Sequence, residues 1–447
     1  MQQPLSKPLK IGLQTWGSNG DVRPLIALAD GLQRAGHTVT LIVSSIDNRS
    51  YADTCRELDI AYQQIPAHIE FDMQGFAQRT FEVNTLKWLI ELLENCFFPY
   101  EREIYQAAQK LVTEHDLVIG HHFLYPLKLA AKIQQRPYIS VTMCHGAVPT
   151  RLHPPFKFPG LGRLFNRWQW RLLDLTFDLA LKKRLSHLWL AEGLPPVKHV
   201  VADLITSDLL NLVVVDPFLC PYKDEWQPLH QACGFLNLPT NAEPFQISLV
   251  LQSFLDAGDK PVYMTFGSLQ QAVPDWSMDL FINAAKLAGC RAIIQTSSPR
   301  FPAESQQGPL FFIGRHPHQP IFRQCAAVVH HGGAGTSHSA ALSGCPSVVV
   351  PFMDEQFFWG CQLQIAGIAA APLYAKNATA EKLAERLVMV LSSAEMAKQA
   401  QQAALSVSPT QGVVNAVALI EAIIGGLAYL HLLGRGCNDL GMDIYTS

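Results

Sequence analysis

Residues 330–340 read HHGGAGTSHSA, after the apolar run AAVV (326–329) and before LSGCPSVVVPF (342–352). Glycines at 332, 333 and 335, where a strand should hand over to a helix, let the backbone turn sharply and expose its N–H groups. A helix opening near Thr336 aims its positive end at the same spot, so the turn suits a large anion such as a diphosphate. The amides of Gly333, Ala334 and Gly335, the Thr336 hydroxyl and one imidazole would hold it. The spacing matches neither G-x-x-x-x-G-K-[ST] nor G-x-G-x-x-G, which removes support from a nucleoside triphosphate or a dinucleotide. A purely structural turn stays open as the alternative.

The same plan of strand, glycine turn and helix runs through the second half. KPVYMTFGS (260–268) reads as a strand entering a glycine loop and MDLFINAAKLAG (278–289) as a helix. CRAIIQTS (290–297), PLFFIG (309–314), AAVV and PSVVVPF (346–352) read as further strands. The first half uses the plan without repeating the sequence. LKIGLQTW (9–16) is a strand, GSNGDVRP (17–24) a glycine loop and LIALADGLQRAG (25–36) a helix stopped by Gly36. HTVTLIVSS (37–45), IAYQQIP (60–66), DLVIG (116–120) and PYISVTM (137–143) follow as strands, with YPLKLAAKIQQ (125–135) a helix between the last two. Such alternation makes parallel sheets covered on both faces. At 447 residues the chain suits two cores better than one.

The expected fold class is therefore α/β, with two doubly wound Rossmann-like domains facing across a cleft at the carboxyl ends of their strands. Residues 1–222 form the N-terminal domain, 223–245 a proline-containing linker, 246–425 the C-terminal domain and 426–447 a tail without an assigned role. Two aromatic helical stretches, TLKWLIELLENCFFPYEREIYQ (85–106) and LGRLFNRWQWRLLDLTFDLALKKRL (161–185), suit either a binding wall or helix packing alone.

Lys plus Arg number 34 against 37 for Asp plus Glu, a formal net charge of −3. That balance offers no long-range attraction for a nucleic acid. The ten cysteines form no C-x-x-C pair, and the opening MQQPLSKPLKIGLQTW has no apolar signal core. Buried, reduced thiols in a cytoplasmic protein are the expectation. AVALIEAIIGGLAYLHLL (416–433) approaches the length of a membrane span but contains Glu421 and His431, which suits a packed terminal helix better.

HHGGAGT, with PFMDEQFFWG (351–360) shortly after it and GSNGDVRP near the start, resembles the nucleotide-diphosphate-sugar glycosyltransferases of the GT-B fold. The branch it resembles holds the sterol glucosyltransferases and the macrolide and glycopeptide glycosyltransferases. The resemblance implies that His331 and Thr336, with the amides of Gly333, Ala334 and Gly335 and with Ser268, hold the donor diphosphate. It puts Glu355 and Gln356 on the sugar, although that branch carries Asp-Gln there, and His318 and Arg315 beside the base. It further implies a UDP-sugar as co-substrate with no cofactor and no metal. His121, His122 and His145 follow expected strands and would line the acceptor side.

Transfer to a hydroxyl needs a base for the acceptor proton and stabilisation of the departing diphosphate. In the resembling branch an Asp at the place of Asp21 is the base; here it could equally cap the helix that follows. The paired histidines offer no third ligand, so a zinc site is not expected. The implied activity is inverting transfer of a hexose, glucose foremost, to a lipophilic acceptor such as a sterol or polyketide, with Trp88, Phe97, Phe98, Trp168 and Trp170 as an apolar wall. A silent helper protein and a sugar-nucleotide epimerase remain as alternatives on the same fold. Lys157, Arg163, Arg167, Arg171, Lys182, Lys183 and Arg184 suit either a solvated helix face or peripheral contact with an anionic membrane.

Overall fold

Apolar runs buried on both faces pair as parallel strands, and the chain builds two such sheets. The computed structural model describes residues 8–432 apart from 73–74, 77–78, 80–84, 156–157, 222, 227, 239–245, 272 and 297. The first sheet contains β1 (Lys10–Gly17), β2 (Thr38–Ser45), β3 (Ala61–Gln64), β4 (Leu117–His121), β5 (Tyr138–Thr142), β6 (Leu210–Val213) and β7 (His230–Ala232). Their order is β3-β2-β1-β4-β5-β6-β7, with every pairing parallel. The second contains β8 (Val262–Thr265), β9 (Ala292–Gln295), β10 (Ser305–Gln307), β11 (Leu310–Ile313), β12 (Ala327–His330) and β13 (Ser347–Val349). It is ordered β10-β11-β9-β8-β12-β13, with β10 antiparallel at the edge.

Each order reverses direction once near its centre. The chain leaves β1 toward β2 on one side and returns to β4 on the other; in the second sheet the same reversal separates β8 from β12. Ligands of open α/β sheets bind at such switch points, beyond the carboxyl ends of the strands. GSNGDVRP follows β1 and HHGGAGT follows β12, so both glycine loops lie at a reversal.

Two segments depart from the expected domain limits. β7 lies inside the stretch read as a linker and joins the N-terminal sheet, because Asn211, Leu212 and Val213 of β6 pair with it. The helix Gln411–Leu432 returns to the N-terminal half, where Ala416, Val417, Ile420 and Ile424 are buried in the same core as Leu25, Ile26 and Leu28. Gly31 makes that approach possible, since a Cβ there would lie 2.3 Å from the Val413 side chain. Residues 427–432 continue this helix, and 433–447 lie outside the described residues. Among the described residues no single helix is long and apolar enough to cross a membrane; a bent pair of helices, Ala394–Ser406 with Gln411–Gly426, passes by length and composition.

The aromatic stretches pack differently from a cleft wall. TLKWLIELLENCFFPYEREIYQ breaks into the helices Thr85–Cys96 and Glu101–Glu114, with Pro99 at the break, where proline cannot continue an interior helix. Phe97 is buried and meets Trp16 edge to face at 5.3 Å, so it fills a core. Phe98 and Trp88 pack half-buried against that core. Trp170 is buried, its indole N–H bonded to the His153 carbonyl at 3.0 Å. Trp168 points outward.

The two halves meet over an apolar contact. Cys144, Val148, Val213 and Val215 from the first pack with Ala341, Phe358, Trp359 and Leu363 from the second. The helix Asp354–Ile365 is thereby pressed against the ends of β5 and β6.

Candidate active site

The first loop is closed by its own side chains. Ser18 caps the helix Asn19–Arg34, and Asp21 is its third residue; together they form a capping box. Asp21 is thus not the N-cap, because the helix starts two residues before it. One carboxylate oxygen, Oδ2, accepts from the Ser18 N–H at 2.8 Å and from the Ser18 hydroxyl at 3.2 Å. Gly17, at φ +136, must be glycine here, since a Cβ would stand 2.3 Å from that same oxygen. The other oxygen, Oδ1, lies 3.5 Å from His121 Nε2 at the end of β4.

His121 Nδ1 takes the Phe123 N–H at 3.4 Å, which leaves the ring proton on Nε2, the nitrogen facing Asp21. The reversal between β1 and β4 is what brings these two residues together. His122 sits beside His121, ring centroids 4.3 Å apart. Burial, and then His121, hold its pKa well below the usual histidine value. His145 departs from the acceptor-lining expectation: it is fully buried and packs on Phe358 and Trp359 at 4.7 and 4.9 Å. Its place is in the contact between the halves.

The second loop is left open. The helix Ala334–Leu342 has Gly333 as its N-cap and no side-chain cap, so its first N–H groups, including those of Ala334, Gly335 and Thr336, lack the internal acceptor that Ser18 and Asp21 supply in the first loop. Gly332, at φ +87, lies so near the next segment that a Cβ would be 2.5 Å from the Gln356 carbonyl oxygen. His330 ends β12 fully buried, and its Nδ1 accepts from the Gly332 N–H at 3.1 Å, so this first histidine shapes the turn. His331 is less buried, and its ring lies between Gly267 and Gly333. Its Nδ1 has no hydrogen-bond partner among the described residues, and its ring touches the Gly267 turn, where a Cβ would lie 3.1 Å from Cε1. Burial, and then His318, push its pKa down to about 4, so it enters as a neutral donor. Thr336 is buried just beyond. Ser268 lies in the short turn Gly267–Gln271 after β8, and its side chain is outside the described residues.

Glu355 and Gln356 open the helix Asp354–Ile365 next to Gly332. The Glu355 carboxyl is pushed up to about 7 by burial and then by the charge of Asp21. Gln356 accepts from the Phe352 N–H through Oε1 at 2.8 Å, which leaves its NH₂ end to donate. Asp354 is buried and accepts from the Tyr374 hydroxyl at 2.9 Å. His318 stacks on Phe322 at 4.8 Å; burial, then Arg23 and Arg315, lower it to about 4.

That coupling exposes a residue the sequence reading passed over. Arg23, on the helix that carries Asp21, feels Arg49 and Arg315 and is itself lowered by burial and by them. No ion pair is described for Arg23, Arg49 or Arg315, and the charges of Arg49 and Arg315 both act on Arg23. The available signal was the spacing in GSNGDVRP, which sets Arg23 two residues beyond Asp21. Among the described residues no group of three or more His, Cys, Asp or Glu could hold a metal ion.

The chain resembles known proteins in sequence and in fold. Residues 309–419 match the C-terminal domain of the erythromycin biosynthesis protein CIII-like family. The chain is 26% identical over 432 residues to a sterol 3-beta-glucosyltransferase of Arabidopsis thaliana, covering 92% of this chain and 67% of that protein. It is 27% identical over 372 residues to the vancomycin aglycone glucosyltransferase of Amycolatopsis orientalis, covering 81% of this chain and 86% of that protein. The chain spans about two thirds of the length of the plant sterol enzymes it matches. Among solved structures, the kitacinnamycin glycotransferase superposes with a TM-score of 0.68 at 18% identity, over 94% of this chain and 100% of that one. The two sheets are those of the GT-B fold, and the chain is a homologue of the sterol, macrolide and glycopeptide glycosyltransferases.

Proposed function

We propose that the protein is an inverting glycosyltransferase that moves a hexose, glucose foremost, from a UDP-sugar to a hydroxyl of a lipophilic acceptor such as a sterol or polyketide. What carries this reading is a fixed carboxylate, Asp21, in the loop after β1 and an uncapped helix end, Ala334–Leu342, after β12, each at the reversal of its own sheet. Asp21 takes the proton from the acceptor oxygen as that oxygen attacks the anomeric carbon. His121, whose Nε2 lies 3.5 Å from Oδ1, stands beside the carboxylate. The sugar–phosphate bond breaks on the far side, which inverts the centre. The charge left on the diphosphate meets the helix N-terminus, Thr336 and His331. Glu355 and Gln356 grip the sugar hydroxyls, and His318 and Arg315 border the base.

These groups neutralise the diphosphate without a metal ion, and we set the reaction in the cytoplasm, in keeping with nine described cysteines that are all free thiols. The test is mass spectrometry of products from UDP- and dTDP-sugars offered with a panel of lipophilic alcohols, with and without a chelator. A glycosylated alcohol with stoichiometric UDP in the presence of chelator supports the reading. Release of no nucleotide diphosphate with any pair would make the chain a silent relative, and dTDP in place of UDP would correct the donor.

A further inference from the structure

The helix Arg163–Leu185 is built the wrong way round for a helix facing water. Its inner side is mixed: Asn166, Gln169, Trp170, Leu181 and Leu185 are buried. Its outer side carries Leu164, Phe165, Trp168, Leu172, Leu175 and Leu179, all exposed, with Leu164 86%, Leu179 80% and Trp168 54% accessible. The intervals of three and four residues place all six on one stripe. Scattered exposed leucines are ordinary, whereas a continuous stripe of this length marks a surface that meets something apolar.

The charges beside the stripe decide what that is. Arg163, Arg167 and Arg171 recur every fourth residue along one edge, and no ion pair is described for them or for the exposed Lys183. The acidic residues of the helix turn inward. Asp178 accepts from the Val200 N–H at 2.7 Å and lies 3.0 Å from His199. Asp174 is half-buried, with its carboxyl pushed up to about 6 by burial and then by Asp178. The outward face is therefore apolar and positive only, on a chain whose net charge is −3. A second copy is a poor occupant, because two-fold pairing of this face would set positive charge against positive charge. Lysine and arginine flanking Trp, Phe and Leu on one helical face is the composition that lies in a lipid interface.

We infer that the outer face of the helix Arg163–Leu185 docks the protein on the surface of an anionic bilayer, its leucines and Trp168 entering the headgroup boundary and its arginines meeting lipid phosphates. None of the residues of this face is among those named at Asp21 or the diphosphate loop, so the inference extends the proposed reaction without depending on it. Docking would hold the enzyme where a lipophilic acceptor is dissolved.

The experiment is co-sedimentation of the full chain with phosphatidylcholine vesicles, with and without phosphatidylserine, and no substrates present. The wild type should bind the serine-containing vesicles and show a blue shift of tryptophan emission. Trp168→Ser with Leu172→Ser should weaken binding at least about tenfold while leaving the thermal melt in place, since both side chains are exposed. Arg163→Gln, Arg167→Gln and Arg171→Gln should each weaken it about fivefold, with the loss shrinking as salt is added. Failure of the wild type to bind, or equal binding by the folded double variant, overturns the inference. So does a wild-type dimer that the double variant dissolves without vesicle binding, which would give the face to a second copy. None of these outcomes bears on nucleotide release, so the proposed reaction stands or falls on its own.

Discussion

The loops after β1 and β12 share one plan and put it to opposite uses. Each leaves its strand through glycine, at a reversal of strand order, into a helix aimed at the crevice. In the first, Ser18 and Asp21 satisfy the helix end from within. In the second, Gly333 supplies no side chain, and the helix end stays open beside an unpartnered His331 nitrogen. A capped end cannot bind an external anion well, but it fixes a carboxylate in a known position. An end with glycine at the N-cap costs little stability, about a few tenths of a kcal/mol at most, and keeps its N–H groups for a ligand. Whether a helix terminus fixes a carboxylate or keeps its N–H groups free thus depends on which residues fill its first turn.

The largest expected effect comes from acid, which should strike the open side. Burial lowers His318, His331 and His338 to about 4 and His330 and His145 to about 3. The unfolded chain takes protons on these rings below about 6.5, while the folded chain refuses them, so stability present above that pH is lost as it falls toward 4. Each ring contributes up to about 1.4 kcal/mol per pH unit. Glu355, raised to about 7, and Asp174, raised to about 6, oppose the trend, since their folded forms gain protons first. Melting temperature should drop steeply from pH 7 to 5; a flat profile would mean the imidazoles are not held neutral.

Asp21→Asn comes next. The amide keeps an oxygen for the Ser18 N–H but cannot take a proton, so kcat should fall about a hundredfold or more. The lost charge at the helix start should cost only about 0.3–1 kcal/mol of stability. Near wild-type turnover would reduce Asp21 to a structural cap, and the two loops would then differ only in how they are closed. His331→Ala sharpens the other half of the contrast. Loss of one donor to the diphosphate should weaken UDP binding and slow turnover, together by about ten- to hundredfold. Titration calorimetry with UDP and steady-state rates check it, and unchanged values in both would remove His331 from the site.

Glu355→Asp has the smallest and most selective effect. Withdrawing the carboxylate by one methylene should change the ratio of kcat/KM for UDP-glucose and UDP-galactose about tenfold, with UDP affinity level. Asp354→Ala should leave that ratio alone and lower stability instead, because Asp354 is bound to Tyr374. The reverse pattern would assign the sugar to Asp354.

Much of this was legible in the residues, and the gaps have physical causes. Alternating apolar runs and glycine turns announced two doubly wound sheets, since a strand buried on both faces has to be apolar throughout. β7 was hidden because a three-residue edge strand, His-Gln-Ala, carries no apolar run. The return of the helix 411–432 to the first half was hidden because its apolar face says that it packs, not on what. The aromatic stretches misled for the same reason: Phe97 and Trp168 are both large and apolar, yet one fills a core and the other faces outward.

By itself the sequence determined the fold class, the open glycine loop with His331 and Thr336, and the presence of Asp21 and Glu355 in chemically suggestive company. These follow from local properties: glycine's freedom, the helix terminus and the charge of a side chain. The approach of His121 to Asp21, 3.5 Å apart, and the place of His145 in the contact between the halves come from the tertiary structure alone. Such pairings join residues far apart in the chain, and strand order sets them. Strand order arises from the packing of whole sheets, which no short stretch of sequence contains.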